Sequence, residues 1–379
     1  MQIPQDRYSL AALGRYDITN NVELKLSTIF TSNKVPLQLA PTPFFSTVTI
    51  DLDNNPFLTP EASTALRENN RGSRFYQAFI GRRMIEAGPR RTESEKQNLH
   101  LAADLRGEFS NDWSWDIHGH YSREVLDTEK SGNISISAMQ AAVFSGQCNI
   151  FGADVFSDTC VNMVARTSFE ETVSTQYNLN GTIGGDVDFL QSPKAENPLQ
   201  ILLGAEYRED KFDFRPDGVL GPDVSGFNQE LPIDGTRDSY AVFGEFYWPI
   251  IENKPAIDEL SVMGAVRYSR LAGQGNVLDT SPFPDEINST KANTKNFTSY
   301  NIGAEWQPNS NIKFHANFDK SFRQPSIQEL FSANNFGFFG AKTRVLEAGK
   351  IYLQLKAFEK SVLLVACLIF FIIPLISRE

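Results

Sequence analysis

Between Asn98 and Arg123 the chain alternates between apolar and polar residues. Leu99, Leu101, Ala103, Leu105 and Phe109 share one side, and His100, Ala102, Asp104, Arg106 and Glu108 the other. After Ser110-Asn111-Asp112 the alternation resumes. Trp113, Trp115, Ile117 and Tyr121 now oppose Ser114, Asp116, His118, His120 and Ser122. A period of two predicts paired β-strands rather than a helix. One face is almost wholly apolar, while the other carries charges of both signs. That is the pattern of a transmembrane β-barrel, with lipid outside and a wet lumen inside.

The same period predicts strands over 7–17, 22–33, 97–109, 112–126, 169–189, 199–213, 237–248, 258–270, 295–307 and 311–322. Residues 74–87 form a weaker strand pattern. Short turns fall at 18–21, 110–112, 190–198, 249–257 and 308–310. Long loops fall at 34–73, 127–168, 214–236 and 271–292, the second with a short helix over Ile134 to Phe144. Outer-membrane barrels show this asymmetry, with short periplasmic turns and long external loops. Trp113, Trp248 and Trp306 all flank short turns, where an interfacial aromatic girdle belongs. Strand parity then puts 74–87 outside the membrane, in an extended external hairpin, and leaves ten spanning strands.

Composition narrows the classes without changing the fold. The chain has 379 residues, 41% hydrophobic, with a net charge of −11, which argues against a nucleic-acid partner. A mean hydropathy of −0.30 leaves most of the chain without a helical span. Barrel strands hide their apolar residues in alternation and escape that test. Cys148 and Cys160 lie close together in a polar, Gly-containing stretch. They favour a disulfide in an external loop, with two unpaired thiols as the alternative. The opening MQIPQDRYSL has no apolar core of a signal peptide.

Near the end of the alternating region stand Trp306-Gln307-Pro308, the strand Ile312 to Phe318, and the run Ser321-Phe322-Arg323-Gln324-Pro325-Ser326-Ile327-Gln328-Glu329-Leu330-Phe331. Together they resemble the mid-barrel segment of TonB-dependent outer-membrane receptors. RYSLAALGRYDIT, the tract Gln38 to Pro43 and the Cys148–Cys160 loop are similar to that family too. The resemblance covers about residues 1–340. The motif residues that carry it are Ser321, Phe322, Arg323, Pro325, Ser326, Glu329 and Leu330.

The resemblance implies an all-β, antiparallel transmembrane β-barrel, here partial, with ten or eleven strands of a family barrel of 22. It implies a parent receptor that imports a small scarce ligand: an iron chelate, a vitamin or an oligosaccharide. It implies the TonB complex as energising partner, the lipid bilayer as surroundings and the bacterial outer membrane as location. The plug, the TonB box and the later strands are not in this stretch, so the chain alone is expected to be transport-incompetent. The rival readings are a self-contained ten-stranded barrel, acting as a passive pore or a hydrolase, and a remnant that never reaches the outer membrane.

From about residue 341 the character changes. The tail 341–379 contains an apolar run over 361–376, just short of a spanning helix. It reads as sequence that departs from the family frame, with a tail anchor as the alternative.

Candidate chemistry is sparse. His100, His118 and His120 fall on one polar face with Asp104 and Asp116 nearby. A metal site there is geometrically conceivable, but the lumen of a barrel is polar throughout and its histidines need no ligand. No Ser-His-Asp or paired-carboxylate spacing stands out. The chain therefore reads as a non-enzyme with no metal and no cofactor. Phe44, Phe45, Phe331, Phe336, Phe338 and Phe339 are loop aromatics that could line a binding face.

Overall fold

The structure is a computed structural model that describes residues 3–109, 112–152, 155–218, 223–227, 230–278 and 287–332. The tail from 341, the apolar run 361–376 and Phe336, Phe338 and Phe339 lie outside the described residues. In chain order the elements are β1 (Asp6–Thr19), β2 (Val22–Leu39), β3 (Pro43–Asp51), α1 (Pro60–Asn69), β4 (Phe75–Arg83), β5 (Arg90–Glu108), β6 (Ser114–Ser135), α2 (Ile136–Phe144), α3 (Asp158–Val164), β7 (Ala165–Val187), β8 (Leu199–Pro216), β9 (Val224–Ser225), β10 (Ile233–Lys254), β11 (Ile257–Leu278), β12 (Ile287–Asn309), β13 (Ile312–Lys320) and α4 (Ile327–Phe331).

Ten long strands build one antiparallel sheet in the order β1-β2-β5-β6-β7-β8-β10-β11-β12-β13, and β9 adds a short pairing to β6. Every neighbouring pair on that path is antiparallel. β1 and β13 end the path on opposite sides and do not pair with each other. Among the described residues the wall is therefore an open, partial barrel. Segment 74–87 takes no place in the wall. Its strand β4 pairs with β3 in a separate two-stranded sheet.

The register separates two faces. On the apolar face, Leu179, Leu203, Val242, Val266 and Ile302 are each 52–57% exposed. All four tryptophans of the chain lie toward the short-turn end of this sheet, at 113, 115, 248 and 306. Tyr121, Tyr177, Tyr207, Tyr240, Tyr268 and Tyr300 sit several residues toward the loop end, one on each of β6, β7, β8, β10, β11 and β12. Tyr121 pairs across to Tyr177, and Tyr207 to Tyr240. The aromatics thus bracket a band of aliphatic residues. Glycines seat the indoles: a Cβ on Gly185 would come within 2.6 Å of Trp113, and one on Gly107 within 2.5 Å of Trp115.

Several strands outrun the lengths expected from alternation. β6 continues to Ser135, β7 begins at Ala165, β10 spans Ile233–Lys254 and β11 reaches Leu278. In the extension of β5 and β6 the side that is apolar nearer the turns becomes polar, as at Glu93, Glu95, Asp127 and Glu129. Backbone pairing holds them although the hydrophobic signal has stopped.

The expected long loops 34–73 and 127–168 are largely ordered. β3, β4, α2 and α3 close over a core of Phe44, Val48, Ile50, Met84, Ile134, Met139, Val143, Phe156 and Val164. Cys148 and Cys160 are joined by a disulfide within it, with Cα atoms 5.7 Å apart, and are 0% and 4% exposed. The β8–β10 connection is tied to this subdomain. Asp223 accepts hydrogen bonds from the Ser135 and Ser137 hydroxyls, and Ser225 Oγ donates to Pro43 O at 2.6 Å.

Candidate functional site

The polar face carries the candidate site, toward the loop end. Ladder register lines up His100, Ser122, Gln176, Asp210, Arg237 and Gly273 across β5, β6, β7, β8, β10 and β11. One step nearer the loops, Asn98, Glu124, Ser174, Phe212, Gly235 and Gly275 form a second row. Alternation aims both rows to the same side.

Hydrogen bonds run from positions nearer the short turns into the first row at Gln176. Asp104 Oδ1 lies 2.5 Å from His118 Nδ1, and His118 Nε2 lies 3.2 Å from His120 Nδ1. His120 Nε2 reaches Gln176 Oε1 at 2.8 Å, and Gln176 Nε2 donates to Asp210 Oδ1 at 2.8 Å. Arg208 and Arg237 both donate to Asp210, the latter through Nη2 at 2.6 Å. Arg237 Nη1 then donates to Pro325 O at 2.6 Å, which ties the wall to the segment after β13.

That segment is the family motif, and it folds back over the polar face. Ser326 caps α4 by accepting from Glu329 N, while Glu329 accepts from Ser326 N, which satisfies donors at the helix start reciprocally. Arg323 donates to both oxygens of Glu329 at 2.9 and 2.7 Å. Those guanidinium hydrogen bonds hold the Glu329 carboxyl down to about 2. Phe322 stacks on Phe297 with ring centroids 4.3 Å apart. Ser321 is exposed and Leu330 half-buried. Ile327 and Phe331 press onto the two glycines of the second row, and Gln324 Nε2 donates to Ser239 Oγ at 3.4 Å.

Between the motif and the wall lies a cavity of about 420 Å³. Asn98, Ser122, Ser174 and Gln328 line it, and their side chains make no hydrogen bond to another described residue. They are free donors and acceptors, whereas Arg237 and Asp210 are already committed to each other. The lining can therefore grip hydroxyl, amide or carbonyl groups of a small polar molecule.

The histidines assemble only in part. His118 and His120 touch, and the His100 ring lies 5.5 Å from that of His120. Asp116 stands opposite Arg106 in the β5–β6 ladder, away from the chain of contacts. Among the described residues no group of three or more His, Cys, Asp and Glu side chains is arranged to hold a metal. Two of the loop aromatics are packing residues: Phe44 is 0% and Phe331 1% exposed. Phe45, at 64% exposed, is free to meet a ligand. The row residues Gln176, Asp210 and Arg237 were legible in the sequence only as polar members of alternating strands. Gly235 gave a fainter signal, a lone glycine beside a strand, where another group approaches the backbone closely.

Comparison with known proteins gives the frame for this geometry. A sequence model of the family described as "TonB dependent receptor-like, beta-barrel" matches residues 41–350. No curated protein matches the chain significantly. Among solved structures, the open form of the ferric-catecholate import receptor Fiu from E. coli K12 is similar with a TM-score of 0.50 at 11% identity, over 86% of this chain and 48% of that one. Its closed form gives a TM-score of 0.49 at 10% identity, over 84% of this chain and 44% of that one. The chain thus spans about half the length of the receptors it resembles in fold. With the family sequence matched over most of its length, on an antiparallel wall of barrel type, this chain belongs to the TonB-dependent receptor β-barrel family.

Proposed function

We propose that the chain is part of the barrel wall of an outer-membrane receptor that imports a small scarce ligand, an iron chelate, a vitamin or an oligosaccharide, with energy from the TonB complex. The apolar face would meet lipid between the tryptophan and tyrosine levels. The polar face would line the passage, and the β3–β4 and α2–α3 subdomain would stand outside the cell. On this reading the chain is a fragment, transport-incompetent without further strands.

The observation that supports it is the pair of unjoined edges. Among the described residues β1 and β13 end the sheet with free backbone groups, while the chain spans 48% of the open-form receptor. Lipid does not tolerate a bare strand edge, so more strands must complete the wall. The ladder directions suit them: each edge takes an antiparallel neighbour.

Cysteines at Ala12 on β1 and Ala316 on β13 test the reading, with the chain folded in detergent micelles. No intramolecular cross-link between them is expected. A cross-linked monomer would replace the receptor fragment by a closed ten-stranded pore. Import is tested separately. Uptake by cells producing the full-length receptor should stop in a strain without TonB, and uptake that persists there would remove the energised mechanism.

A further inference from the structure

We propose that the apolar side of the wall carries a lipid site, with a phosphoethanolamine headgroup at Arg270 and Asp238 and an acyl chain over Gly181 and Ala205. The proposal rests on the reading that this face meets lipid, and adds one place on it that selects a lipid. A cavity of about 1040 Å³ lies there, larger than the one under the motif. Its floor is the ladder pair Gly181 and Ala205 on β7 and β8. A Cβ on Gly181 would meet nothing nearer than Asp116 O at 3.9 Å. Ile117 and Val242 stand on either side in the same row. On β7 and β8 the next outward pairs are Leu179–Tyr207 and Ile183–Leu203, so the pit is one pair long.

From the pit the cavity runs across β10 to β11, past Tyr240 and Tyr268, and ends at Arg270 and Asp238. Arg270 lies two residues toward the loops from Tyr268, beyond the tyrosine level. Gly181 lies four residues toward the turns from Tyr177, inside the aliphatic band. The cavity therefore descends from the interface into the apolar layer. It crosses three strand spacings, ~14 Å sideways, a span that one extended acyl chain covers. A lipid seated this way keeps its headgroup among the charges and its chain on apolar side chains.

The mouth of the cavity carries two opposite charges that do not pair with each other. Arg270 is exposed and makes no hydrogen bond or ion pair to another described residue. Asp238 stands diagonal to it across the β10–β11 ladder and accepts from the Tyr207 hydroxyl at 3.3 Å. That hydroxyl also lies 3.2 Å from Glu209, so its one hydrogen serves one carboxylate at a time. Lys211, a cation on the same side of β8, is taken by Glu209 at 2.7 Å. A guanidinium offers a phosphate two parallel N–H donors. An ammonium beside that phosphate gives Asp238 a counter-charge and N–H donors. Phosphoethanolamine brings both groups on one short link and is neutral overall, as Arg270 and Asp238 are together. Phosphocholine has the same charges but no N–H to give. A singly anionic headgroup would leave the Asp238 carboxylate facing a phosphate.

The test is photolabelling of the full chain, folded in detergent micelles, by phosphatidylethanolamine with a diazirine at the end of one acyl chain. Cross-links should concentrate on peptides holding Ile117, Leu179 and Val242, and be severalfold weaker at Ile302, which is exposed on the same face outside the cavity. Unlabelled phosphatidylethanolamine should compete severalfold better than phosphatidylcholine. Asp238→Asn should erase that difference while labelling persists, and Arg270→Gln should weaken both competitors severalfold. Equal competition by the two lipids in the wild type, or a preference unchanged in both folded variants, overturns the site. If the variants do not fold, the wild-type competition decides alone. Labelling that is confined to the apolar face but even along it also overturns the site and leaves the lipid-facing reading intact. Labelling as strong at Asn180 on the polar face overturns that reading with it.

Discussion

Gly235 stands directly opposite Gly275 in the β10–β11 ladder, and Phe331 lies over both. A Cβ on Gly275 would fall 2.5 Å from Phe331 Cγ, and one on Gly235 would fall 2.6 Å from Ile327 Cγ2. The glycine pair is thus a shallow seat in the polar wall, and the family motif is the piece that fills it. Valine at Gly235, where a Cβ meets only the Ile327 and Phe331 side chains, would lift α4 from the wall while leaving the ladder paired. Hydrogen exchange should then accelerate over residues 323–331 and stay unchanged in β10 and β11. Phe331→Ala empties the same seat from the other side, with a cost of ~3–5 kcal/mol if the site does not collapse. Equal protection of 323–331 in both variants and wild type would show that the seat does not hold the motif.

Much of the wall was legible because one rule covers it. A strand between two unlike surroundings must alternate, so β5 and β6 announce both their type and their faces. The same rule, with parity, placed 74–87 outside the wall. It failed where both sides are alike. The β10 and β11 extensions that carry Gly235 and Gly275 fall within stretches read as loops, so the seat of the motif was hidden. It failed also for the subdomain of β3, β4, α2 and α3. Phe44, Met84, Ile134 and Val164 meet in one core although no local period links them, and only tertiary contact reveals it. The histidine contacts depend on rotamers and register, which alternation locates to a face but not to a partner.

The disulfide between Cys148 and Cys160 closes a loop of sequence separation 12 that joins α2 to α3. Chain-entropy reasoning gives such a closure ~3 kcal/mol of stability. Reduction, or Cys148→Ser with Cys160→Ser, should therefore speed proteolysis within residues 136–164 more than a hundredfold if opening is the limiting equilibrium. Cleavage in the wall strands should not change. A uniform rise across the chain would mean that the bond holds the whole wall instead.

Asp51 gives the subdomain of β3, β4, α2 and α3 a defined acid limit. Arg74 donates to its two carboxylate oxygens at 2.7 and 2.5 Å, and Asp53 N and the Asn54 amide add two more hydrogen bonds. The Arg74 hydrogen bonds are the main cause that lowers the Asp51 carboxyl from 3.8 to about 2; burial opposes them. A depressed carboxylate stabilises the folded form fully above its unfolded pKa and loses that contribution as pH falls through the folded one. The subdomain should thus keep its thermal midpoint down to about pH 4 and lose stability toward about pH 2. Asp51→Asn should start lower and show a flatter acid limb, so the two curves converge. Curves that stay parallel would remove Asp51 from the acid response.

Val242 and Asn180 lie on opposite faces of the same wall, and an arginine at each asks which face meets lipid. Val242 is 57% exposed in the aliphatic band between Tyr240 and Trp248. Asn180 is on the polar side, next to Glu206 across the β7–β8 ladder. An arginine facing the middle of a bilayer costs ~2–4 kcal/mol in a barrel wall, whereas a lumen position tolerates it. Val242→Arg should therefore cut the fraction of full-length receptor that folds into vesicles severalfold or more, read as the heat-modifiable band on a gel. Asn180→Arg should leave that fraction near wild type, since Glu206 can pair with the new charge. The reverse ranking would place the aliphatic band against protein or water, and with it the membrane orientation of the wall would fall.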